Sequence, residues 1–297
     1  MDLQLRHLRA LVAVADTGTF TDAGAELGVS QAAVSRAIAA LEDALGVPVL
    51  ERTTRRVALT PTGTRILAGA RRILDEIGHL RRLAAPRHSE LRIGYAWAAL
   101  GKHTRRLQRA WATGHPGTPL VFVHTNTPSA GLSDGTADVA VIRRPLDDPR
   151  FATALIGAET RCAAVATDNP LARRRTLHLR DLLRYPVAID ARTGTTTLDL
   201  WHPGPEPPTI RTTHGVDEWL TLIAAGQAVG VTSEATANQN PRPGVAYRTL
   251  RRTPAIDVWL AWWRDSPPAG LGDLVHLSRA AYASGLSGGT RDAPPAS

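Results

Sequence analysis

The segment at residues 30–46, SQAAVSRAIAALEDALG, restricts the fold more than any other part of the chain. Its large aliphatic side chains recur at helical spacing, and Ser30 and Gly46 stand where a helix N-cap and a C-terminal stop are expected. A typical amphipathic helix carries long charged side chains opposite its apolar stripe. This segment presents a short, flat face instead, made of Gln31, Ala32, Ser35, Arg36 and Ala39. Such a face can approach another molecule closely.

A glycine turn connects this helix to a shorter one before it. Thr19-Phe20-Thr21 opens the shorter helix, and Gly28 ends it. Helix, tight turn and helix is the layout of a helix-turn-helix. Short apolar segments at 48–50 and 57–59 flank the arginine-rich residues 52–56, which predicts a two-stranded wing with a basic tip.

A long helix is predicted from Pro61 to about Ala85, because Thr60-Pro61 provides a hydroxyl cap followed by proline at the first helical position. Aliphatic residues within it alternate at spacings of four and three, which is the pattern of a heptad seam. The seam residues are Ile66, Ala70, Ile73, Ile77 and Leu80. The helix is longer than a small winged domain can cover, so we predict that it pairs two copies into a homodimer. The alternative is one long helix packed on its own domain.

The remainder of the chain predicts an α/β fold. Short apolar runs alternate with helical segments from Leu91 onward, a pattern typical of sheets with helices on both faces. The expected strands are Leu91–Gly94, Leu120–Val123, Ala137–Ile142, Cys162–Ala166, Pro186–Ile189, Ala228–Val231 and Val258–Trp263. Residues 86–89 are expected to be a linker, and residues 285–297, rich in Gly, Ser and Pro, a flexible tail.

The charge of the chain agrees with an anionic partner, but its distribution is more informative than its total. The net charge of +8 arises almost entirely from arginine, with Lys102 the only lysine. A composition bias of the whole genome could produce the same excess of arginine without a nucleic acid partner. However, six arginines lie between positions 52 and 72 and are opposed only by Glu51 just before them. This clustering, next to the predicted wing, favours nucleic acid.

Several other classes of protein are not supported by the sequence. No apolar run approaches the roughly 18 residues that a membrane span needs, and the N-terminus lacks a signal layout, so we expect no membrane partner and a cytoplasmic location. Cys162 has no second cysteine to pair with, and the histidines show no metal-ligand spacing. Residues 285–289 match a nucleophile elbow by letter but follow the last predicted helix, where the required strand–turn–helix context is missing. We predict no metal, no cofactor and no enzymatic activity.

The stretch AVADTGTFTDAGAELGVSQAAVSRAIAALEDALGVPVLERTTRRVALTPTG resembles the DNA-binding region of LysR-type transcriptional regulators in order, spacing and residue type. The resemblance covers about residues 3–84 strongly and 91–283 more weakly, by layout. The chain departs from the family at Gly24, Ala32 and Leu50, where alanine, proline and phenylalanine are more usual.

The resemblance implies a fold and a domain organisation. The fold is α/β with an N-terminal all-α winged helix-turn-helix, and the effector module resembles a periplasmic binding protein, with two Rossmann-like α/β subdomains. The implied boundaries are 1–60 for the DNA-binding domain, 61–86 for the dimerisation helix, 87–284 for the effector module and 285–297 for the tail. Within the effector module, the first subdomain comprises about 91–160 and 266–284, and the second comprises about 161–265. The resemblance also implies that dimers associate as homotetramers.

DNA contacts are predicted from the flat helical face and the wing. The N-terminal end of a recognition helix enters the major groove, where glutamine pairs with adenine, arginine with guanine or phosphate, and small side chains contact the thymine methyl group. The predicted contacts to double-stranded DNA are Thr21, Ser30, Gln31, Ala32, Ser35, Arg36, Arg55 and Arg56. A solvated helix face is the alternative, but the turn before it and the wing after it favour DNA.

A small-molecule effector is expected in the cleft between the two subdomains, by resemblance. The residues carried over by position are Ala96, Trp97, Ala98, Thr125, Asn126, Arg192, Thr195, Thr213 and His214. Helix N-termini with free N–H groups bind carboxylates, and Arg192 can add a charge-assisted pair. Each of these residues also fits a role in lining or in the core. A small-molecule-binding or enzymatic α/β protein, whose N-terminal domain serves only assembly, remains the alternative function.

Overall fold

Glycines in the left-handed conformation end each of the first three helices in the computed structural model. These helices are α1 (Leu5–Thr17), α2 (Phe20–Leu27) and α3 (Gln31–Leu45). Gly18, Gly28 and Gly46 follow them at φ of 79°, 66° and 68°, a region that glycine occupies without steric cost. The hydroxyls of Thr19 and Ser30 accept hydrogen bonds from backbone N–H groups in the first turns of α2 and α3. The predicted helix-turn-helix is therefore confirmed.

The structure describes residues 2–51, 57–84, 90–201 and 209–286, which divide into two units. Of the described residues, the first unit comprises 2–51, 57–84 and the short loop 133–135, and the second comprises the others from 90 onward. None of the helices in the described ranges is both long and apolar enough to cross a membrane.

The wing and the long helix follow α3 in the first unit. Strands β1 (Leu50–Glu51) and β2 (Ala58–Leu59) pair antiparallel, and α4 spans Pro61–Ala84. The carboxylate of Glu42 in α3 accepts hydrogen bonds from the backbone N–H groups of Val49 at 2.7 Å and Leu50 at 3.2 Å. The hydroxyl of Thr60 caps α4 by accepting from a backbone N–H at 2.8 Å. These contacts hold the base of the wing between α3 and α4.

The first unit has its own apolar core, which the first half of α4 completes. Leu11, Val14 and Leu41 are fully buried, and Leu67 and Ala70 of α4 pack against the same cluster. The first half of the long helix therefore packs on its own unit. This agrees, for that half, with the alternative interpretation of a long helix packed on its own domain.

The second unit contains two sheets and the helices that cover them. Its strands are β3 (Leu91–Tyr95), β4 (Leu120–His124), β5 (Val139–Ile142), β6 (Phe151–Glu159), β7 (Arg161–Ala166), β8 (Thr176–Leu177), β9 (Val187–Ile189), β10 (Ile210–Thr212), β11 (Val229–Ser233), β12 (Val245–Leu250) and β13 (Ile256–Trp263). Its helices are α5 (Thr104–Gly114), α6 (Leu179–Leu182), α7 (Val216–Ala224), α8 (Glu234–Gln239) and α9 (Leu271–Leu286). The α/β prediction is confirmed, although the sequence patterns did not reveal β6, β8, β10 and β12.

Each sheet forms one subdomain of the second unit. The first sheet has the order β4-β3-β5-β13-β6, and the second has the order β10-β9-β11-β7-β12-β8. The chain passes from the first sheet to the second between β6 and β7, and returns between β12 and β13. Because β13 pairs with β5 and β6, residues 256–263 belong to the first subdomain, and the boundary expected after residue 265 is wrong. The apolar run of β13 suits either sheet, so composition could not place it.

Both sheets present the carboxyl ends of neighbouring parallel strands. In the first sheet β3 pairs parallel with β4, and in the second β9 pairs parallel with β10 and β11. Loops at this edge of an α/β sheet are where such folds place ligands. The helix α9 ends at Leu286, two residues into the segment expected as a tail, and residues 287–297 lie outside the described residues.

Candidate functional site

The flat face of α3 lies on the surface of the first unit. Gln31, Ala32, Ser35 and Arg36 are all exposed, and so are Thr21 and Ser30 of the predicted DNA-contacting set. On the opposite side Val34, Ile38 and Leu41 are 1%, 4% and 0% exposed and hold the helix against the core. The aliphatic stripe thus anchors α3, and its small polar face remains available to a partner.

A close approach between α2 and the start of α3 sets the position of that face. A Cβ atom on Gly24 would lie 2.8 Å from the carbonyl oxygen of Val29 and 3.2 Å from the backbone nitrogen of Gln31. Since Cβ atoms do not approach a carbonyl that closely, the alanine usual in the family would have to push the turn away from α2. Gly24 therefore brings the first turn of α3 closer to α2 than an alanine would.

The base of the wing is described, but its tip is not. Arg55 and Arg56, predicted to contact phosphate, lie in residues 52–56, outside the described residues. Their role stays a prediction.

The predicted dimer seam divides into two parts along α4. Ala70 is 2% exposed within the core of its own unit, and Ile66 packs against that core. In the second half of the helix, Ile73 is 45% exposed and Leu80 is 62% exposed, whereas Ile77 is half-buried. The periodicity marked all five residues alike, because a core stripe and an intermolecular seam share the same helical spacing.

The cleft residues come together at the carboxyl ends of the parallel strands. Ala96 and Trp97 follow β3, and Thr125 and Asn126 follow β4, with the backbone N–H of Thr125 donating to the carbonyl of Tyr95 at 2.9 Å. The second sheet repeats the arrangement. There the N–H of Thr213, after β10, donates to the carbonyl of Ile189 at 3.0 Å.

The hydroxyl of Thr193 links the two subdomains across this cleft. It accepts a hydrogen bond from the indole N–H of Trp97 at 2.9 Å. It also lies 2.7 Å from Oδ1 of Asn126 and 2.8 Å from Oδ2 of Asp190. Because a hydroxyl has one proton, it donates to one of these two acceptors at a time.

Asp190 is a residue of the cleft that the sequence interpretation missed. Its side chain is buried, at 2% exposure, and Oδ1 accepts from the backbone N–H groups of Arg192 at 2.8 Å and Thr193 at 3.2 Å. Oδ2 accepts from the N–H of Gly215, the residue before α7, at 2.8 Å. The available signal was an aspartate directly after a buried strand and before a tight turn, a position where aspartate binds nearby backbone N–H groups.

Other predicted effector residues occupy different environments. The Arg192 side chain is exposed, and His214 is exposed beside Glu218, whose carboxylate accepts from the His214 backbone N–H at 2.7 Å. Ala98 is fully buried, so its side chain belongs to the core. The hydroxyls of Thr125, Thr195 and Thr213 are buried and have no hydrogen-bond partner among the residues that the structure describes.

A buried ion pair supports the turn after β3. The guanidinium of Arg143 donates to both carboxylate oxygens of Glu159, at 2.9 and 2.8 Å, and to the carbonyls of Ala98 and Ala99, each at 2.6 Å. The hydroxyl of Tyr282 donates to the same carboxylate at 2.7 Å. Burial opposes ionisation of Glu159, but the charge of Arg143 and the hydrogen bonds outweigh it and hold the pKa of this carboxyl below its ordinary value.

Two further observations bear on chemistry. In the described ranges, no three His, Cys, Asp or Glu side chains lie close enough together to hold a metal ion. Cys162 is buried in β7, and burial raises the pKa of its thiol to about 11. A thiol in this state is a poor nucleophile near neutral pH.

Comparison with known proteins gives consistent matches over both units. Residues 5–64 match the model of the bacterial regulatory helix-turn-helix protein, lysR family, and residues 84–283 match the LysR substrate binding domain. The uncharacterized HTH-type transcriptional regulator YnfL of Escherichia coli K12 is 30% identical over 298 aligned positions, which cover 94% of this chain and 99% of that protein. The HTH-type transcriptional regulator BenM of Acinetobacter baylyi is 29% identical, over 79% of this chain and 81% of that one. The crystal structure of full-length CbnR complexed with its target DNA is similar, with a TM-score of 0.55 and 28% identity, over 94% of this chain and 100% of that chain.

Proposed function

Because the chain belongs to the LysR family of bacterial transcriptional regulators, we propose that it binds double-stranded DNA through the exposed face of α3 and that a small molecule in the cleft of the second unit controls this binding. The observation that carries the DNA-binding part is the surface position of the flat face, where Gln31 and Ser35 are one turn apart and Ala32 and Arg36 form the adjacent row. CbnR, a similar protein, was solved on its target DNA.

The chemistry of the face fits base recognition. Gln31 can pair with the edge of adenine, and Arg36 can pair with guanine or a phosphate, while Ala32 and Ser35 are small enough to let the helix lie deep in the major groove. The chain's own arginines at 55 and 56 would add phosphate contacts, which raise affinity without selecting sequence.

The oligomer we propose is a homodimer formed through the second half of α4, with dimers associating as tetramers. Ile73 and Leu80 support it, because aliphatic side chains exposed to this extent at helical spacing gain stability when a partner covers them. A twofold pair of α3 helices would then match two half-sites on the duplex.

The second unit is the proposed sensor. Effector binding between the subdomains would shift the population of their closed arrangement and so change how dimers present their recognition helices. We place this activity in the cytoplasm with the DNA and assign no catalytic step to the chain. The similar proteins reported above are named transcriptional regulators, so the alternative of an enzymatic α/β protein is not favoured.

A mobility-shift titration against the DNA upstream of the chain's own gene tests the proposal. Gln31→Ala and Arg36→Ala should each weaken specific binding by roughly tenfold or more, and Arg36→Ala should also lower the salt slope by about one if it contacts phosphate. Arg180→Ala, which removes one exposed cation from the second unit, is the matched control and should bind as wild type does. If both α3 variants fold, dimerise and bind DNA with wild-type affinity, recognition of DNA by this face is refuted.

Dimerisation needs its own measurement. Leu80→Glu, placing a charge in the exposed half of α4, should shift the chain toward monomer in sedimentation velocity. An unchanged sedimentation coefficient at the same concentration would contradict pairing through this helix.

A further inference from the structure

We infer that the cleft binds a ligand presenting a cationic amine rather than a carboxylate, with Asp190 as the group that selects for it. This inference rests on the proposed role of the cleft as the effector site. It concerns only the charge of the ligand group that docks at the end of β9.

The first step is that the chain's own carboxylate occupies the place where an anionic ligand would dock. Backbone N–H groups before and at a helix start form the usual site for a ligand carboxylate. Here the N–H groups of Arg192, Thr193 and Gly215 all donate to Asp190, at 2.8, 3.2 and 2.8 Å. A ligand carboxylate would lose these donors and would lie beside a buried like charge, which disfavours its ionised form.

The second step is that Asp190 can accept one more donor. Three backbone N–H groups fill three of the four acceptor positions of its carboxylate, and the Thr193 hydroxyl reaches the fourth. That hydroxyl has Asn126 Oδ1 as an alternative acceptor at 2.7 Å. When it donates to Asn126, Asp190 Oδ2 is free to accept an N–H from a ligand, and the Trp97 indole keeps its acceptor in either state.

The third step is an independent observation that favours a polar ligand beside Asp190, namely buried hydroxyls without hydrogen-bond partners among the described residues. In the parallel register Thr212 pairs with Ile189, so the next pair is Thr213 with Asp190, and their side chains lie on the same face of the sheet. Thr213 is 1% exposed, and its hydroxyl has no partner among the described residues. Thr125 holds the corresponding position after β4, and its hydroxyl is equally without a partner there. Buried hydroxyls are usually satisfied, so these two call for a hydrogen-bonding ligand or water.

Trp97 suggests what the rest of the ligand is. The residue is 6% exposed, and its ring packs edge-on against that of Trp219, with centroids 5.2 Å apart. Aromatic rings attract both apolar bodies and cations over their faces. An aromatic or aliphatic amine combines the two properties.

Matched probe pairs on the full chain test the charge preference. Melting of the protein is followed with benzylamine against benzoate, and with tryptamine against indole-3-acetate, at neutral pH and equal ionic strength. We expect the amine of at least one pair to raise the melting temperature and neither carboxylate to do so. The chain's net charge of +8 attracts anions non-specifically, so an amine preference cannot come from overall charge. Stabilisation by the carboxylates, or by none of the four probes, overturns the inference.

Variants then assign the effect to the cleft. Asp190→Asn should weaken amine binding by about tenfold, the difference between a charged and a neutral acceptor. Asp257→Asn removes an exposed carboxylate on β13 and should leave amine binding unchanged. If Asp190→Asn does not fold, Thr213→Val provides a milder change that should also weaken amine binding. Equal amine binding by Thr213→Val and wild type would overturn the assignment to this cleft.

DNA binding measured in the same samples separates the two proposals. Amine binding that leaves the mobility shift unchanged supports the charge preference and contradicts effector control. Loss of DNA binding in the α3 variants, with no response to any probe, supports the regulator and overturns the charge preference.

Discussion

Replacing Arg143 with methionine should destabilise the second unit far more than the loss of one surface charge would. The side chains of Arg143 and Glu159 are 6% and 1% exposed, and the guanidinium donates to both carboxylate oxygens. Methionine fills much of the volume but leaves the carboxylate charged, buried and held mainly by Tyr282. It also leaves the carbonyls of Ala98 and Ala99 without their donor.

The magnitude follows from the uncompensated charge. Removing one partner of a buried ion pair costs about 3–5 kcal/mol, whereas removing both costs much less. For a unit of this size that loss corresponds to a fall in melting temperature of roughly 10 °C. The double variant Arg143→Met with Glu159→Gln should recover at least half of the lost stability, because it no longer carries the buried charge.

The pH dependence has a definite sign. In the native chain the pKa of Glu159 is lowered, so the pair's contribution is present above the ordinary carboxyl value and is lost as the pH falls through the lowered pKa. In Arg143→Met, burial is no longer opposed by the guanidinium, and the pKa of Glu159 should rise. The stability penalty should therefore shrink as the pH is lowered from about 8 to about 5, because protonation removes the buried charge.

Tryptophan fluorescence during urea unfolding is a suitable assay, because all seven tryptophans of the chain lie after residue 86. The signal reports the second unit without interference from the first. The buried-charge argument is refuted if the free energy of unfolding of the single variant falls by less than about 1 kcal/mol, or if the double variant is no more stable than the single one.

Three smaller predictions concern other parts of the molecule. Gly63→Ala should destabilise the first unit by about 1–3 kcal/mol in circular dichroism melts, because its Cβ would overlap the backbone carbonyl oxygen of Val49. Gly69→Ala in the same helix meets nothing within 4 Å and should be neutral or stabilising. Cys162, with its pKa near 11, should react with a disulfide reagent near pH 8 about a hundredfold more slowly in the folded chain than in denaturant; equal rates would contradict its burial. Tyr282→Phe removes a 2.7 Å hydrogen bond to the buried carboxylate and should lower the free energy of unfolding in the fluorescence assay by about 1–3 kcal/mol. An unchanged free energy of unfolding would show that the hydroxyl is dispensable.

Local chemistry made the first unit predictable. Thr19, Ser30 and Thr60 cap helices, and Gly28 and Gly46 end them, for reasons contained within a few neighbouring residues. The same holds for the exposed face of α3, because a helix with one aliphatic stripe can bury only that side. The strongly apolar strands of the second unit were predictable for a similar reason, whereas strands such as β6, with exposed and buried positions interspersed, were not.

The sequence by itself determined the caps, the turn glycines, the sheet class and the face of α3, since each depends on short-range spacing. Only the tertiary structure decided that β13 returns to the first sheet, that Ala70 is core while Leu80 is exposed, and that Asp190 takes the N–H groups expected to face a ligand. These outcomes depend on which distant segments meet. Asp190 and Gly215 are 25 residues apart, and Trp97 and Thr193 are 96 apart, and no periodic pattern specifies such pairings.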